Sequence, residues 1–594
     1  MSLSSSHQPP ILTILYATET GNAQEYADRV ARGCRRLPAQ SRVFSMDKYP
    51  LEDLIHEHFI IFVVATAGTG KEPRTMTPLW KMLLRSDLPA DFFEDHHYSV
   101  FGLGDTAYEK FCWPAKKLSR RLDSLGATEI CPRGEGDSQH PLGTDGAFEP
   151  WLANLTASLA HILNVPGEIQ AGSSTDDVPT SRITLRNATA TDLDSARDPL
   201  LEDTDYHTFE LLKNDRITAQ DWSQDVRHIE LRCEHDISYE PGDIASIHPE
   251  APSDDVGSFL TTAGWANIAD EPFHIVQLLK DQSLPDHLPP VSTLRTIFTR
   301  YLDINAVPKR SFFRLFRNFT SDDREKEKLD EFVSPEGADD LYDYTQRVRR
   351  TIREVVEEFR NTRIPKDYIF DLFPPLRPRE FSIASSPKRH KNEVHLCVAI
   401  VQYRTKLKIP RRGVGTTFLA SLQPGTILRI GITKGLLELP PDLHTPVICV
   451  GPGTGIAPMR ALLEGRIHDG SIENTLYFGC RSAAKDQHYH TEWMDGAARG
   501  ELVYRVACSR DGPEGVQRTY VQALIEEDAN RVWRLVDEQR AWVYISGSSN
   551  KMPAGVRKAI ENVARVEGGL GEDEAKEYVA TMEKQGRLFE ECWS

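Results

Sequence analysis

Twice along this chain an apolar run stops at a glycine-bearing loop, and the loop opens a helix. The first run is Ile11–Ala17, followed by Thr18-Glu19-Thr20-Gly21-Asn22-Ala23. The second is Val447–Val450, followed by Gly451-Pro452-Gly453-Thr454-Gly455-Ile456-Ala457-Pro458. Short apolar runs of this kind read as strands buried on both faces of a parallel sheet. A glycine-bearing loop at the carboxyl end of such a strand leaves backbone N–H groups free at a helix N-terminus, where they hold phosphate. A chain with this unit near both ends is constrained to carry two α/β domains.

The chain has 594 residues, room for about two to four domains. Residues 1–10 read as a disordered N-terminus. Residues 11–162 alternate strands (11–17, 59–65, 98–103) with helical stretches such as 22–37, the pattern of a doubly wound α/β domain. Residues 163–205 are polar, rich in Ser, Thr, Asp and Pro, and read as a flexible linker. Residues 206–440 show short strands with turns such as Pro241-Gly242-Asp243, as in an antiparallel barrel. A charged helical insert interrupts that barrel at about 251–370. Residues 441–594 return to the α/β rhythm. The predicted fold class is α/β multidomain.

A formal net charge of -18 argues against nucleic acid and anionic membranes as partners. No apolar run is long enough to span a bilayer, and the N-terminus lacks the pattern of a secretory signal. The expectation is a cytoplasmic protein with no membrane anchor. The nine cysteines are scattered, with no C-x-x-C pair. They read as buried thiols, and no metal site is expected.

In the first α/β stretch, three further segments follow strand ends: Ala65-Thr66-Ala67-Gly68, Leu103-Gly104-Asp105-Thr106-Ala107-Tyr108, and Gly134-Glu135-Gly136-Asp137. In a parallel sheet such loops gather around one crevice. A phosphate at the first loop, a flat ring between the second and third with Tyr108 stacking on it, and Asp137 near the ring or ribityl chain would suit FMN. In the barrel stretch, Arg379-Glu380-Phe381-Ser382 offers an arginine for a pyrophosphate, an aromatic on the same strand face and a hydroxyl for a ring edge. About thirty residues later, Gly413-Val414-Gly415-Thr416 opens a helix that can hold the other half of the pyrophosphate. In the last stretch, Ser509, Arg510, Arg518, Tyr520 and Gln522 combine arginines and hydroxyls fit for a 2′-phosphate with an aromatic cover for adenine, which points to NADPH over NADH.

The four ordered loops resemble flavodoxin over residues 11–162. The R-x-[YF]-S string followed by G-V-x-T resembles the FAD-binding barrel of the ferredoxin–NADP reductase superfamily, and the glycine string at 451–458 matches the same superfamily. The helical insert is what the diflavin reductase family adds. The resemblance implies a flavodoxin-like FMN domain, an FAD-binding barrel and an NADP-binding α/β domain, in that order. It also implies that Arg349 reaches FAD, the alternative being a solvated helix face. Trp593 would stack on FAD and move aside for nicotinamide. Around the point of hydride transfer, Ser382 matches the family serine, Ser546 stands where relatives carry cysteine, and Glu591 where they carry aspartate. Two departures concern the second loop: Ala67 replaces a common aromatic and Lys71 a common acid, which shifts ring stacking toward Tyr108.

The order implies electron flow from NADPH through FAD and FMN to a one-electron protein acceptor, steered by acidic residues Asp105, Glu109, Glu135 and Asp137. The compact layout resembles the diflavin reductases of cytosolic iron–sulfur assembly, whose acceptor is the iron–sulfur protein anamorsin. Two alternatives stand beside it. One is a reductase for another acceptor, such as a cytochrome P450, sulfite reductase or another haem protein. The other is an interaction scaffold whose flavin sites have decayed.

Overall fold

The computed structural model describes residues 9–68, 70–165, 178–511, 518–549 and 551–593. The disordered N-terminus expected over 1–10 and the middle of the expected linker, 166–177, thus fall largely outside the described residues. The chain divides into two compact units. One comprises Met1–Ala196, Gly257–Ile297 and Leu302–Pro375, and the other Arg197–Val256, Phe298–Tyr301 and Leu376–Ser594.

The first unit contains a parallel sheet of β1 (Ile11–Ala17), β2 (Gln40–Ser45), β3 (Phe59–Ala65), β4 (His97–Gly104), β5 (Thr128–Glu129) and β6 (Gly134–Asp137). Its order is β2-β1-β3-β4-β5, with β6 also paired to β4. Strand side chains alternate between faces, and the core divides accordingly. Leu12, Ile14, Ile61, Val63 and Phe101 pack with α1 (Asn22–Cys34) and α4 (Asp145–Ile162). Leu15, Ile60, Phe62, Val64 and Val100 pack with α2 (Thr77–Leu83) and α3 (Trp113–Ser124) on the opposite face. Burying each of these large apolar side chains contributes about 1.5–3 kcal/mol. This two-sided burial explains why the strands read as unbroken apolar runs.

The expected linker over 163–205 is corrected from Ile183 onward. Ile183–Asn187 is a strand, paired antiparallel with Pro272–Gln277, which in turn pairs with Val291–Thr293. The helical insert therefore includes a small sheet completed by the supposed linker. The signal was short: only Ile183 and Leu185 of that strand are buried, too few alternations to stand out among polar neighbours. Downstream, Thr189 forms a capping box with Asp192, and Asp198 caps the helix Pro199–Glu202. The Ser, Thr and Asp content of this segment thus serves helix starts.

In the second unit, six antiparallel strands form a nearly closed barrel, in the order Arg379–Ser382, Ile244–Ile247, Ile427–Thr433, Tyr206–Arg216, Val226–Cys233 and Glu393–Ala399. A five-stranded parallel sheet follows, ordered Val503–Cys508, Asn474–Cys480, Val447–Val450, Trp542–Ser548 and Leu588–Trp593. Arg460, on the helix Ile456–His468, joins barrel and sheet. It donates to the Ala384 carbonyl at 2.6 Å and pairs with Glu464 and Glu492, each at 2.8 Å. A buried arginine with this many acceptors is a fixed joint, because removing any partner would strand a charge.

Candidate active site

In the first unit the predicted loops meet at the carboxyl edge of β1, β3, β4 and β6. Gly21 takes φ 88° and donates its N–H to Thr18 Oγ1 at 2.8 Å, which curls the first loop into the start of α1. The Thr18 N–H donates to Thr75 Oγ1 at 3.0 Å. Glu19 accepts from the Arg74 N–H at 2.6 Å and faces its guanidinium at 3.3 Å. Glu19 thus anchors the loop, while the Thr20 hydroxyl accepts from the Asn22 amide at 3.4 Å and Ala23 is buried beneath. Sequence reasoning missed Arg74 and Thr75; their signal was the helix start that follows the second loop.

The second loop turns through Gly68, with Ala67 bridging to Lys71, and the Thr66 hydroxyl donates to the Leu103 carbonyl at 2.8 Å. In the third loop, Thr106 donates its N–H and its hydroxyl to Asp137 at 3.0 and 2.7 Å. Gln139 donates its N–H to Asp137 at 3.0 Å and its amide to Asp105 at 2.9 Å. Burial works against the charge at Asp137, but the hydrogen bonds from Gln139 and Thr106 outweigh it and hold the carboxyl below its ordinary value. Asp137 is therefore the tie that shapes the third loop. At Gly104 an added Cβ would stand 2.8 Å from Cys112 Sγ, so this position requires glycine. Tyr108 is 39% exposed at the rim.

In the second unit, Arg379–Ser382 lies at the barrel edge with Ser382 opposite Ile244. The Arg379 side chain crosses the N-terminus of the helix Val414–Ser421: a Cβ on Gly415 would meet Arg379 Cγ at 2.7 Å. The Arg379 stem therefore adjoins the Gly413-Val414-Gly415 turn, while its guanidinium donates to the Arg377 carbonyl at 2.7 Å. The Thr416 hydroxyl is spent on the turn itself, accepting from the Val401 N–H at 3.0 Å and donating to the Gly413 carbonyl at 3.3 Å. Its neighbour Thr417 has a buried hydroxyl oxygen with no hydrogen-bond partner; a flanking hydroxyl in the same turn was the available signal. Glu380 is exposed, and Phe381 packs partly buried on the barrel core.

Three of the four residues assigned to hydride transfer come together. The Ser382 hydroxyl donates to Glu591 Oε1 at 2.9 Å. Glu591 is the register partner of Ser546, which is fully buried with its hydroxyl oxygen unpartnered. The nicotinamide loop closes the group, because a Cβ on Gly455 would meet the Ser546 carbonyl oxygen at 2.1 Å. The backbone of Trp593 pairs with Ser548; its side chain lies outside the described residues.

At the same sheet edge, Ser509 donates its N–H to the Cys480 carbonyl at 3.0 Å and Arg510 its N–H to the Arg481 carbonyl at 2.8 Å. Pro452, Gly479 and Val521 meet there: a Cβ on Gly479 would lie 2.8 Å from Pro452 Cβ and 3.1 Å from Val521 Cγ1. Thr454, Ser509, Arg510 and the exposed Tyr520 thus share one edge. Gln522 lies against Gly555, at 3.5 Å from where its Cβ would be. Arg518 is exposed. Arg349 belongs to the first unit, in a turn at φ 51°.

His228, Glu230 and His395 lie within 4.8 Å of one another in the second unit. The Arg460 guanidinium faces His395 Nδ1 at 3.4 Å, so the ring proton belongs on Nε2, toward Glu393 at 3.4 Å. That leaves no lone pair for an ion on that side, and the group is a hydrogen-bond network.

These features fit flavin and nicotinamide groups: cradles that a Cβ would fill, and buried hydroxyls at Thr417 and Ser546. Three family comparisons agree in chain order. Flavodoxin matches residues 14–151, the FAD binding domain 201–418, and the oxidoreductase NAD-binding domain 449–558. That succession defines a reductase with two flavins and a nicotinamide cofactor: FMN, FAD and NADPH. Relatives named NADPH-dependent diflavin oxidoreductase 1 are 40% identical in Cryptococcus neoformans, 37% in Xenopus laevis and 36% in Schizosaccharomyces pombe, each over 98% of this chain and 99% of the relative. The chain belongs to the NADPH-dependent diflavin oxidoreductase family. Among the described residues no helix is long and apolar enough to cross a membrane.

Proposed function

We propose that this reductase delivers electrons from its FMN domain to an anamorsin-type iron–sulfur protein in cytoplasmic iron–sulfur cluster assembly. The observation that carries the reading is the wetted rim of the first loop cluster. Tyr108 and Trp113 are 39% and 37% exposed there, beside Asp105 and Glu109. Glu135 is neutralised by Lys116 at 3.1 Å and Arg133 at 2.9 Å, so the rim's negative charge rests on Asp105, Glu109 and Asp137. Exposed aromatics beside these acids, with Lys110 also exposed between Tyr108 and Trp113 in sequence, suit brief docking with another protein.

When bound, the nicotinamide and the two flavins supply the redox chemistry. In this reading Thr18, Thr20, Gly21 and Asn22 receive the FMN phosphate, while Thr66, Gly68, Gly104, Thr106 and Tyr108 frame its ring. Arg379 and the turn at Gly413-Val414-Gly415 grip the FAD pyrophosphate, with Phe381 as a further contact. Thr454, Ser509, Arg510, Arg518, Tyr520 and Gln522 hold NADPH. Ser382 and Glu591 orient the reacting ring edges, and Trp593 covers the flavin. Affinity capture of partners, followed by NADPH-driven reduction of each purified candidate, tests the acceptor. Faster reduction of a P450 or of sulfite reductase than of the iron–sulfur protein would overturn it.

A further inference from the structure

The parallel strands Asn474–Cys480 and Val503–Cys508 end on two cysteines that are direct register partners. Paired residues on neighbouring strands face the same side, and the two Sγ atoms stand 3.6 Å apart, unbridged. Neighbouring strands lie about 4.7–4.9 Å apart, inside the Cα separation of about 4.4–6.8 Å that a disulfide spans. Side-chain rotation together with a small adjustment of the two strand ends therefore joins them. Cys480 is buried and Cys508 is partly exposed, so a small oxidant meets Cys508 first.

The residues next in sequence give the pair its consequence. Arg481 comes directly after Cys480, and Ser509 and Arg510 after Cys508. The two segments are already tied, Ser509 N–H to the Cys480 carbonyl and Arg510 N–H to the Arg481 carbonyl. Drawing the sulfurs together to about 2.05 Å pulls on the backbone that presents Ser509 and Arg510.

We propose that Cys480 and Cys508 are a redox-modification site, closed to a disulfide by hydrogen peroxide, whose closure weakens the grip on the 2′-phosphate of NADPH. The second half rests on the reading of Ser509 and Arg510 as phosphate ligands. The chemistry balances in two steps. The Cys508 thiolate attacks a peroxide oxygen; the O–O bond breaks, a sulfenic acid forms, and with a proton one water leaves. Cys480 then displaces the sulfenic hydroxyl as a second water, and the S–S bond forms. Two thiols give up two electrons to one peroxide. Burial pushes both thiols up, and the thiolate is the reacting form, so closure quickens with rising pH.

The test treats the intact flavin-loaded enzyme with hydrogen peroxide. A non-reduced digest is read by mass spectrometry, and KM is measured for NADPH and NADH. The expected result is a linked 480–508 peptide pair that dithiothreitol reverses, with KM for NADPH raised about tenfold, the loss of roughly one hydrogen bond, and KM for NADH unchanged. Cys508→Ser and Cys508→Ala should each retain untreated activity and lose the response. Free thiols after treatment, or sulfinic acids without the link, overturn the modification site. A link that leaves KM for NADPH unchanged overturns its effect on binding. Arg510→Ala without oxidant separates the underlying reading: equal losses for NADPH and NADH would remove Arg510 from the phosphate, and the peptide link would stand or fall independently.

Discussion

The loops of the first unit hold one another through side chains: Arg74 on Glu19, Asp137 on Thr106, Gln139 on Asp105. In the second unit, apart from Ser382 on Glu591, the closest contacts are backbone against backbone, or backbone against a side-chain stem. Gly455 lies under the Ser546 carbonyl and Gly415 under Arg379. A site tied by side chains can exchange residues without moving its backbone. A site closed by direct backbone approach has no such freedom.

The largest effect expected from this contrast is at Gly455. In Gly455→Ala the new Cβ would stand 2.1 Å from a carbonyl oxygen, so the loop must leave the strand. Displacing reacting groups by about 1 Å costs about a hundredfold in rate. Stopped-flow bleaching of FAD by NADPH should slow by at least about that factor, with extracted FMN content unchanged. The matched change, Gly68→Ala, meets nothing within 4 Å and is opposed only by its φ of 47°, a strain of about 1–2 kcal/mol. Equal damage from both changes would break the comparison.

Acid should also separate the units. In the second, burial, reinforced by His390 and Arg460, pushes His395 down to about 2, and burial pushes His488 down to about 4. The unfolded chain protonates these rings near an ordinary value of about 6.5, and the folded chain does not. Their contribution to stability is therefore complete above that pH and is lost progressively below it, for His488 until about 4. At pH 6 the two rings together cost about 1–2 kcal/mol. In the first unit, burial likewise lowers His96, a single ring. Heating at pH 7.5 and at pH 6 should advance FAD release more than FMN release; parallel shifts would contradict the assignment.

A smaller loss is expected on the other side of the comparison. Asp137→Ala removes three hydrogen bonds from the third loop. The site is open to water, so the cost should be about 1 kcal/mol, near fivefold in FMN affinity by fluorescence titration, with FAD binding unchanged. A weakened FAD site would mean that Asp137 acts beyond its loop.

The same contrast explains what could be read in the sequence. The unbroken apolar runs of β1 and β3 and the glycine string after Val447–Val450 announce buried strands and close approaches, because both are local in sequence. So is the chain order of the three domains. The contact of Ser382 with Glu591 joins residues 209 apart; only resemblance points to it, since no local pattern encodes it. Arg74 on Glu19 is hidden for the same reason. Ile183–Asn187 reads as linker because two buried residues are too few to show a period. Asp137 reads as a ring neighbour from its loop, and its ties to Thr106 are not legible there, because they join residues 31 apart.

The smallest predicted effect concerns Ser546, at the most enclosed point of the second cluster. Its hydroxyl oxygen is buried without a partner, and an unmet polar group of this kind costs about 1–3 kcal/mol. A thiol is desolvated more cheaply and behaves as a small apolar group. Ser546→Cys should therefore stabilise the second unit by about 0.5–1 kcal/mol, seen as a higher urea midpoint at unchanged slope. The rate of flavin reduction by NADPH should change only a few-fold, because Ser382 and Glu591 keep their hydrogen bond. A lower midpoint would mean that the hydroxyl makes a bond worth keeping. The second cluster would then rely on a side-chain tie beyond that of Ser382 on Glu591.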